Sequence, residues 1–185
     1  MLERGLVSTN FNLAEAAIDC FASICALIEP MEVGPFQGLL KPALQLPVRA
    51  IHDGDEESAR CILITLTDIV EAEPSFFTNN HKLVSEMVDF VLKAEDLCDT
   101  NIKNLPVQLL VNLVERRPKF AKKHKPFLET VFSSIMEVMV MNDEEPTQEW
   151  THPKEGFSIK EDEEPDDAVK NGRQWVDTLI SALGT

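Results

Sequence analysis

Apolar residues recur along this chain at the i, i+3, i+4 spacing of amphipathic helices, and the pattern itself recurs. Three segments carry it: "CALIEPMEVGPFQGLL" from Cys25, "IVEAEPSFFTNNHKLV" from Ile69 and "LVERRPKFAKKHKPFL" from Leu113. Their prolines, Pro30, Pro74 and Pro118, are 44 residues apart each time. The same shift superposes Leu39, Leu83 and Phe127; Leu40, Val84 and Leu128; Ala43, Met87 and Val131; and Leu44, Val88 and Phe132. Upstream it superposes Cys25, Ile69 and Leu113.

Each unit reads as two helices, A and B. Helix A ends before the proline, which has no N–H to donate and biases its predecessor away from the α region. In the first unit (residues 12–54), A is predicted over Asn12–Glu29, with Asn12 and Glu15 as a capping box. Its apolar face is Ala17, Ile18, Phe21, Ile24, Cys25 and Ile28. B follows over Pro35–Ile51, with Pro47 expected to kink it. In the second unit (55–98), Asp55 or a neighbour caps an A helix carrying Cys61, Ile62, Thr65, Leu66 and Ile69; B covers Asn80–Ala94. In the third (99–142), A covers Asn101–Arg116, its start delayed or bent by Pro106. B covers Lys123–Met141, with Phe127, Leu128, Val131, Phe132, Ile135 and Met139 inward. A further A helix is predicted over Ala168–Leu183, 22 residues later than the stride requires. Residues 1–11 precede the first unit. A period of about 40–47 residues is the signature of HEAT or armadillo repeats, so the expected fold is an all-α superhelical solenoid of about three and a half helical hairpins. Without polar caps at either end, such a piece is expected to belong to a longer array.

The 22-residue excess falls within an acidic insertion loop, residues 143–167. It holds eleven acidic residues against two lysines in a chain of net charge −15. This charge argues against nucleic acid and against anionic membranes as direct partners, and for a basic protein partner. Screening confines such attraction to about 8–10 Å, and each exposed pair contributes only ~0.2–1 kcal/mol, so many charges must act together. The same stretch also reads as a solvated loop kept open by its own repulsion.

Nothing in the sequence points to chemistry. The four cysteines, Cys20, Cys25, Cys61 and Cys98, form no C-x-x-C pair and are expected as reduced, buried thiols. The histidines, His52, His81, His124 and His152, lie at no metal-ligand spacing. Phosphate-binding and nucleophile-elbow motifs are absent. The expectation is a binding protein, not an enzyme, with no metal or cofactor.

The stretch "NLPVQLLVNLVERRPKFAKKHKPFLETVFSSIMEVMVMNDEE", followed by "EWTHPKEGFSIKEDEEPDDAVKNGRQWVDTLI", resembles the importin-β family of nuclear transport receptors, closest to its importin-five-like branch. The resemblance covers Ala14–Leu183 as a repeat pattern and is specific from Asn101 onward. It implies transport of cargo between cytoplasm and nucleus through the nuclear pore. It implies A helices on a convex face, with Phe-Gly nucleoporins between them. It implies B helices on a concave face that meets basic nuclear-localisation signals and the GTPase Ran. On that reading the candidate binding residues are Glu86 and Asp89, beside Phe90, in the second unit, and Glu129, Ser133 and Glu137 in the third. The insertion adds Asp143, Glu144, Glu145, Glu149, Trp150, Glu161, Asp162, Glu163, Glu164, Asp166 and Asp167. Trp150 offers cation–π contact to a basic partner. The Phe-Gly groove is placed near Phe21 and Leu63. The alternative is a HEAT scaffold of another assembly, such as a phosphatase structural subunit.

Overall fold

The computed structural model describes residues 1–78, 85, 88–89, 102, 104–140 and 167–184. Among these every regular element is a helix. They are α1 (Leu2–Leu6), α2 (Phe11–Cys25), a 3₁₀ turn (Gly34–Leu39), α3 (Leu40–His52), α4 (Glu56–Ala72), α5 (Ser75–Thr78), α6 (Asn104–Arg116), α7 (Pro118–Lys123), α8 (Lys125–Val140) and α9 (Asp167–Gly184). The chain folds as a HEAT-type α-solenoid. α4 packs on α2, α3 and α6, and α9 packs on both α6 and α8.

Local chemistry fixes the starts. Asn10, not Asn12, caps α2: its side chain accepts from the Leu13 N–H at 3.4 Å. Asn10 is one step outside the helix, which is where a side-chain oxygen reaches the free N–H of the third helical residue. Asp55 caps α4 as expected, accepting from Ser58 N–H at 3.1 Å, with Glu56 and Glu57 in the first turn complementing the helix dipole. α6 starts at Asn104, so Pro106 sits in its first turn, where no intrahelical N–H bond is lost.

The ends differ in detail. α2 stops at Cys25, short of Glu29, because its last turn unwinds: Leu27 N–H bonds Ile24 O while Ile28 N–H bonds the same carbonyl. Leu27 and Met31 stay exposed there, with no core to draw them in. The repeat prolines also do more than stop a helix. Pro118 is the first residue of the short α7, and α5 follows directly on Pro74; proline's fixed φ suits a helix start as well as a stop. α8 begins at Lys125, two residues after the predicted start, because α7 occupies the chain to Lys123.

The core is continuous from unit to unit. Phe21, Phe76, Ile62, Leu66, Leu110, Leu113, Val131, Ile135 and Leu179 are all fully enclosed. Residues 1–10 are tied into it. Leu6 is buried, and Arg49 donates from Nη1 to Leu6 O (3.2 Å) and from Nη2 to Ser8 O. Gly5 lies so close to α2 that a Cβ there would fall 2.6 Å from the Ala17 Cβ.

The residues preceding two of the repeat prolines pair across units. The buried Glu73 carboxylate accepts from Ser75 N–H at 3.0 Å and from Ser75 Oγ, and Arg117 Nη2 lies 3.9 Å from it. A second polar line joins the A helices. Trp175 Nε1 donates to Gln108 Oε1 (2.6 Å), Gln108 Nε2 to Asn112 Oδ1 (2.6 Å), and Asn112 Nδ2 to Glu71 Oε1 (2.8 Å). Three successive A helices, α4, α6 and α9, are thereby held in register.

The expectation of uniformly buried thiols is corrected. Cys20 and Cys61 lie on the outer side of α2 and α4, and only Cys25 is buried; Cys98 lies outside the described residues. Burial pushes the Cys25 thiol up to about 12, and the nearby Glu73 carboxylate adds to the rise against a backbone hydrogen bond that lowers it. The Cys61 thiol is also raised, by partial burial and then by the Glu57 and Glu15 carboxylates. Maleimide at neutral pH is therefore expected to label Cys20 readily, Cys61 more slowly, and Cys25 only with unfolding. Site-resolved mass spectrometry checks this; Cys25 labelling at the rate of Cys20 would contradict the packing. The protonated Cys25 stabilises the fold below the ordinary thiol range, and that contribution is lost as pH climbs from there toward about 12.

Candidate functional site

α8 is a 16-residue helix with two faces of different use. Phe127, Val131, Ser134, Ile135 and Val138 point inward and are buried. Leu128 and Met139 are half-buried against the same core. Glu129, Ser133 and Glu137 are exposed at i, i+4, i+8, so they form one stripe along the outer side. Beside it runs a second exposed stripe, Phe132, Met136 and Val140, at 39%, 54% and 60% exposure. Phe132 was expected inward and is not. Periodicity alone assigns it to the core because the apolar residues of α8 cover well over half its circumference.

The two stripes give α8 an acidic edge and an apolar edge about one residue apart around the helix. Such a surface suits a segment that carries Lys or Arg together with apolar side chains. The acidic groups supply long-range attraction and the apolar groups supply burial.

Asp89 lies near the start of α8, across a hollow of about 310 Å³. That hollow is lined by Ser85, Val88, Asp89, His124, Pro126, Phe127 and Thr130. His124 is held on one side of it: its ring stacks on Phe120 at 4.1 Å between centroids, and Nδ1–H donates to Phe120 O at 2.9 Å. The structure thus brings Asp89 near the first turn of α8 and sets Glu129, Ser133 and Glu137 in a row from there. Glu86, Phe90, Asp143, Glu144, Glu145, Glu149, Trp150, Glu161, Asp162, Glu163, Glu164 and Asp166 lie outside the described residues. Asp167 is the first residue of α9.

Phe21 and Leu63 do not line an outer groove. Both side chains are fully buried, Phe21 edge-on to Phe76 at 5.4 Å and 81°. A groove between neighbouring A helices does exist two interfaces later, between α6 and α9. It encloses about 790 Å³ and is lined by Glu115, Pro118, Arg173, Gln174, Asp177 and Ser181, among others. It is mixed in charge where an apolar slot was expected.

Residues 94–185 match the importin repeat family. Over its whole length the chain is 24% identical to importin subunit beta-3 of Saccharomyces cerevisiae, of which it spans 16%. Among solved structures it is similar to Kap121p, at 22% identity and a TM-score of 0.76 over 98% of this chain and 17% of that one. It is also similar to the karyopherin Kap121p bound to the SUMO protease Ulp1p, at 21% identity and a TM-score of 0.75 over the full chain and 18% of that one. Kap121p bound to Nup53p gives a TM-score of 0.74 at 22% identity over 98% and 17% of the two chains.

Proposed function

The chain belongs to the importin-β family, and from that premise we propose that it is a protein-binding segment of a nuclear transport receptor that moves between cytoplasm and nucleus through the nuclear pore. Its task is to help hold a basic localisation signal of the cargo, with Ran competing for the same acidic side, while Phe-Gly nucleoporins engage the groove between A helices α6 and α9. The observation that carries this reading is the exposed Glu129, Ser133, Glu137 stripe running alongside exposed Phe132, Met136 and Val140. A helix that had only to be soluble would have no use for three large uncovered apolar residues beside its acids. Asp89 extends the negative edge, and the acidic residues of 143–167 add to the field. Similarity to a receptor solved with several bound proteins supports a binding role for the repeats.

The proposal is tested with the full-length protein and a Lys-rich, partly apolar peptide. Affinity should fall several-fold between 50 and 200 mM salt, since exposed charges are screened beyond about 8 Å. The double substitution Glu129→Lys and Glu137→Lys replaces two attractions with two repulsions and should weaken binding about tenfold or more. Unchanged affinity in that variant would remove α8 from the binding surface. Salt-insensitive binding would remove the electrostatic reading altogether.

A further inference from the structure

The chain is strongly acidic, yet Arg116–Lys125, "RRPKFAKKHK", carries six cations and no carboxylate. These residues span the end of α6, the whole of α7 and the start of α8. Arg116, Lys119, Lys122, Lys123 and Lys125 are all exposed. Among the described residues none of these five has a carboxylate partner; only Arg117 does, with Glu73 at 3.9 Å. A turn that merely needed solubility would have no use for a cluster of one sign.

Helix electrostatics do not account for the cluster. Lys122 and Lys123 close α7, where the dipole favours cations. Lys119, however, is the second residue of α7 and Lys125 the first of α8, where the dipole disfavours them, and neither helix has an acid in its first turn. α4 shows the opposite arrangement, with Asp55, Glu56 and Glu57 at its start. Arg173 of α9 is exposed in the groove that Pro118 also lines, where Glu115 and Asp177 bound the positive surface.

We propose that the Arg116–Lys125 turn is a docking surface for a short acidic peptide segment of a partner protein, separate from the acidic face of α8. The size of the patch sets the partner's class. An extended peptide of about six to ten residues spans roughly 20–33 Å, enough to run along α7 and its two flanks. A DNA duplex or an anionic membrane presents a broad negative surface, which would be pressed against the acids flanking the turn and repelled by them.

The test uses the full chain and a fluorescein-labelled octaglutamate peptide, read by anisotropy, with amide chemical shifts read by NMR. Saturable binding is expected, weakened at least fivefold from 50 to 200 mM salt, with shift changes centred on residues 116–125. The combined substitution Lys119→Glu, Lys122→Glu and Lys123→Glu should weaken it at least tenfold, and Arg60→Glu, an exposed cation elsewhere, should leave it unchanged. The wild-type shift map keeps the test decisive even if the triple variant is unstable. Absence of saturable binding at low salt, or shifts centred elsewhere, would overturn the proposal. So would equal or tighter binding of a 20-base-pair duplex or phosphatidylserine vesicles at the same turn. Salt-induced shifts of 116–125 in the absence of peptide would assign the turn to the chain's own acidic residues and overturn it as well.

Discussion

Phe21→Ala is expected to lower stability by about 3–5 kcal/mol, the cost of a large buried aromatic replaced by a methyl group. Phe21 is fully buried, and its ring meets Phe76 of α5 edge-on at 5.4 Å, so the loss includes an aromatic pair as well as buried area. The position also matters for where the damage goes. Phe21 belongs to the first helix pair and Phe76 to the turn of the second, so the cavity opens at a junction between units. In a solenoid each unit is stabilised by its neighbour, and weakening one junction lets the flanking unit melt separately. Urea unfolding followed by circular dichroism should show a lowered midpoint and a broadened or two-step transition. Leu27→Ala, at a side chain 85% exposed, should stay within about 0.5 kcal/mol of wild type. A Phe21→Ala cost below about 1 kcal/mol would contradict the packing described.

The second large effect is at Gln108. Its side chain is the middle link between Trp175 on α9 and Asn112 on its own helix, and both of those residues are buried. Gln108→Leu keeps the volume but leaves the Trp175 Nε1–H and the Asn112 Oδ1 without their partners. Each orphaned buried group costs about 1–3 kcal/mol, so a loss on the order of 2–4 kcal/mol is expected. Because α9 is held to α6 by this bond, its docking should loosen first. In a Trp150→Phe background, Trp175 emission should shift to the red at denaturant concentrations where helix content elsewhere persists. A variant whose Trp175 emission and global unfolding stay coincident with wild type would show that apolar packing of Leu179 and its neighbours suffices without the polar line.

How much of this was written in the sequence follows from what each feature depends on. The stride of the prolines and the positions of α4, α6, α8 and α9 depend on local breakers and helical periodicity, and both are visible in one dimension. Asp55 was legible as a cap because its side chain bonds a backbone group only three residues away. The short helices α5 and α7 are not legible in the pattern because proline signals a helix end as readily as the first position of a new helix. The tethering of residues 1–10 was not legible at all, since it rests on Arg49, which is 41 and 43 residues away from the carbonyls it binds. Exposure failed in the same way. Phe132, Cys20 and Cys61 lie within apolar helical patterns, and which apolar positions end up uncovered depends on the neighbour lying alongside. For the candidate site, the acidic stripe of Glu129, Ser133 and Glu137 could be read as the polar complement of the core stripe. Its apolar companion, Phe132, Met136 and Val140, could not.

Where a basic segment touches the protein decides whether α8 is the binding surface. A photo-reactive benzoylphenylalanine placed at Ser133, between Glu129 and Glu137 on the outer side of α8, should cross-link a Lys-rich partly apolar peptide in a salt-sensitive manner. The same group at Thr178, in the groove between α6 and α9, should not. Cross-linking at Thr178 with none at Ser133 would place basic partners on the other side of the solenoid and contradict the account.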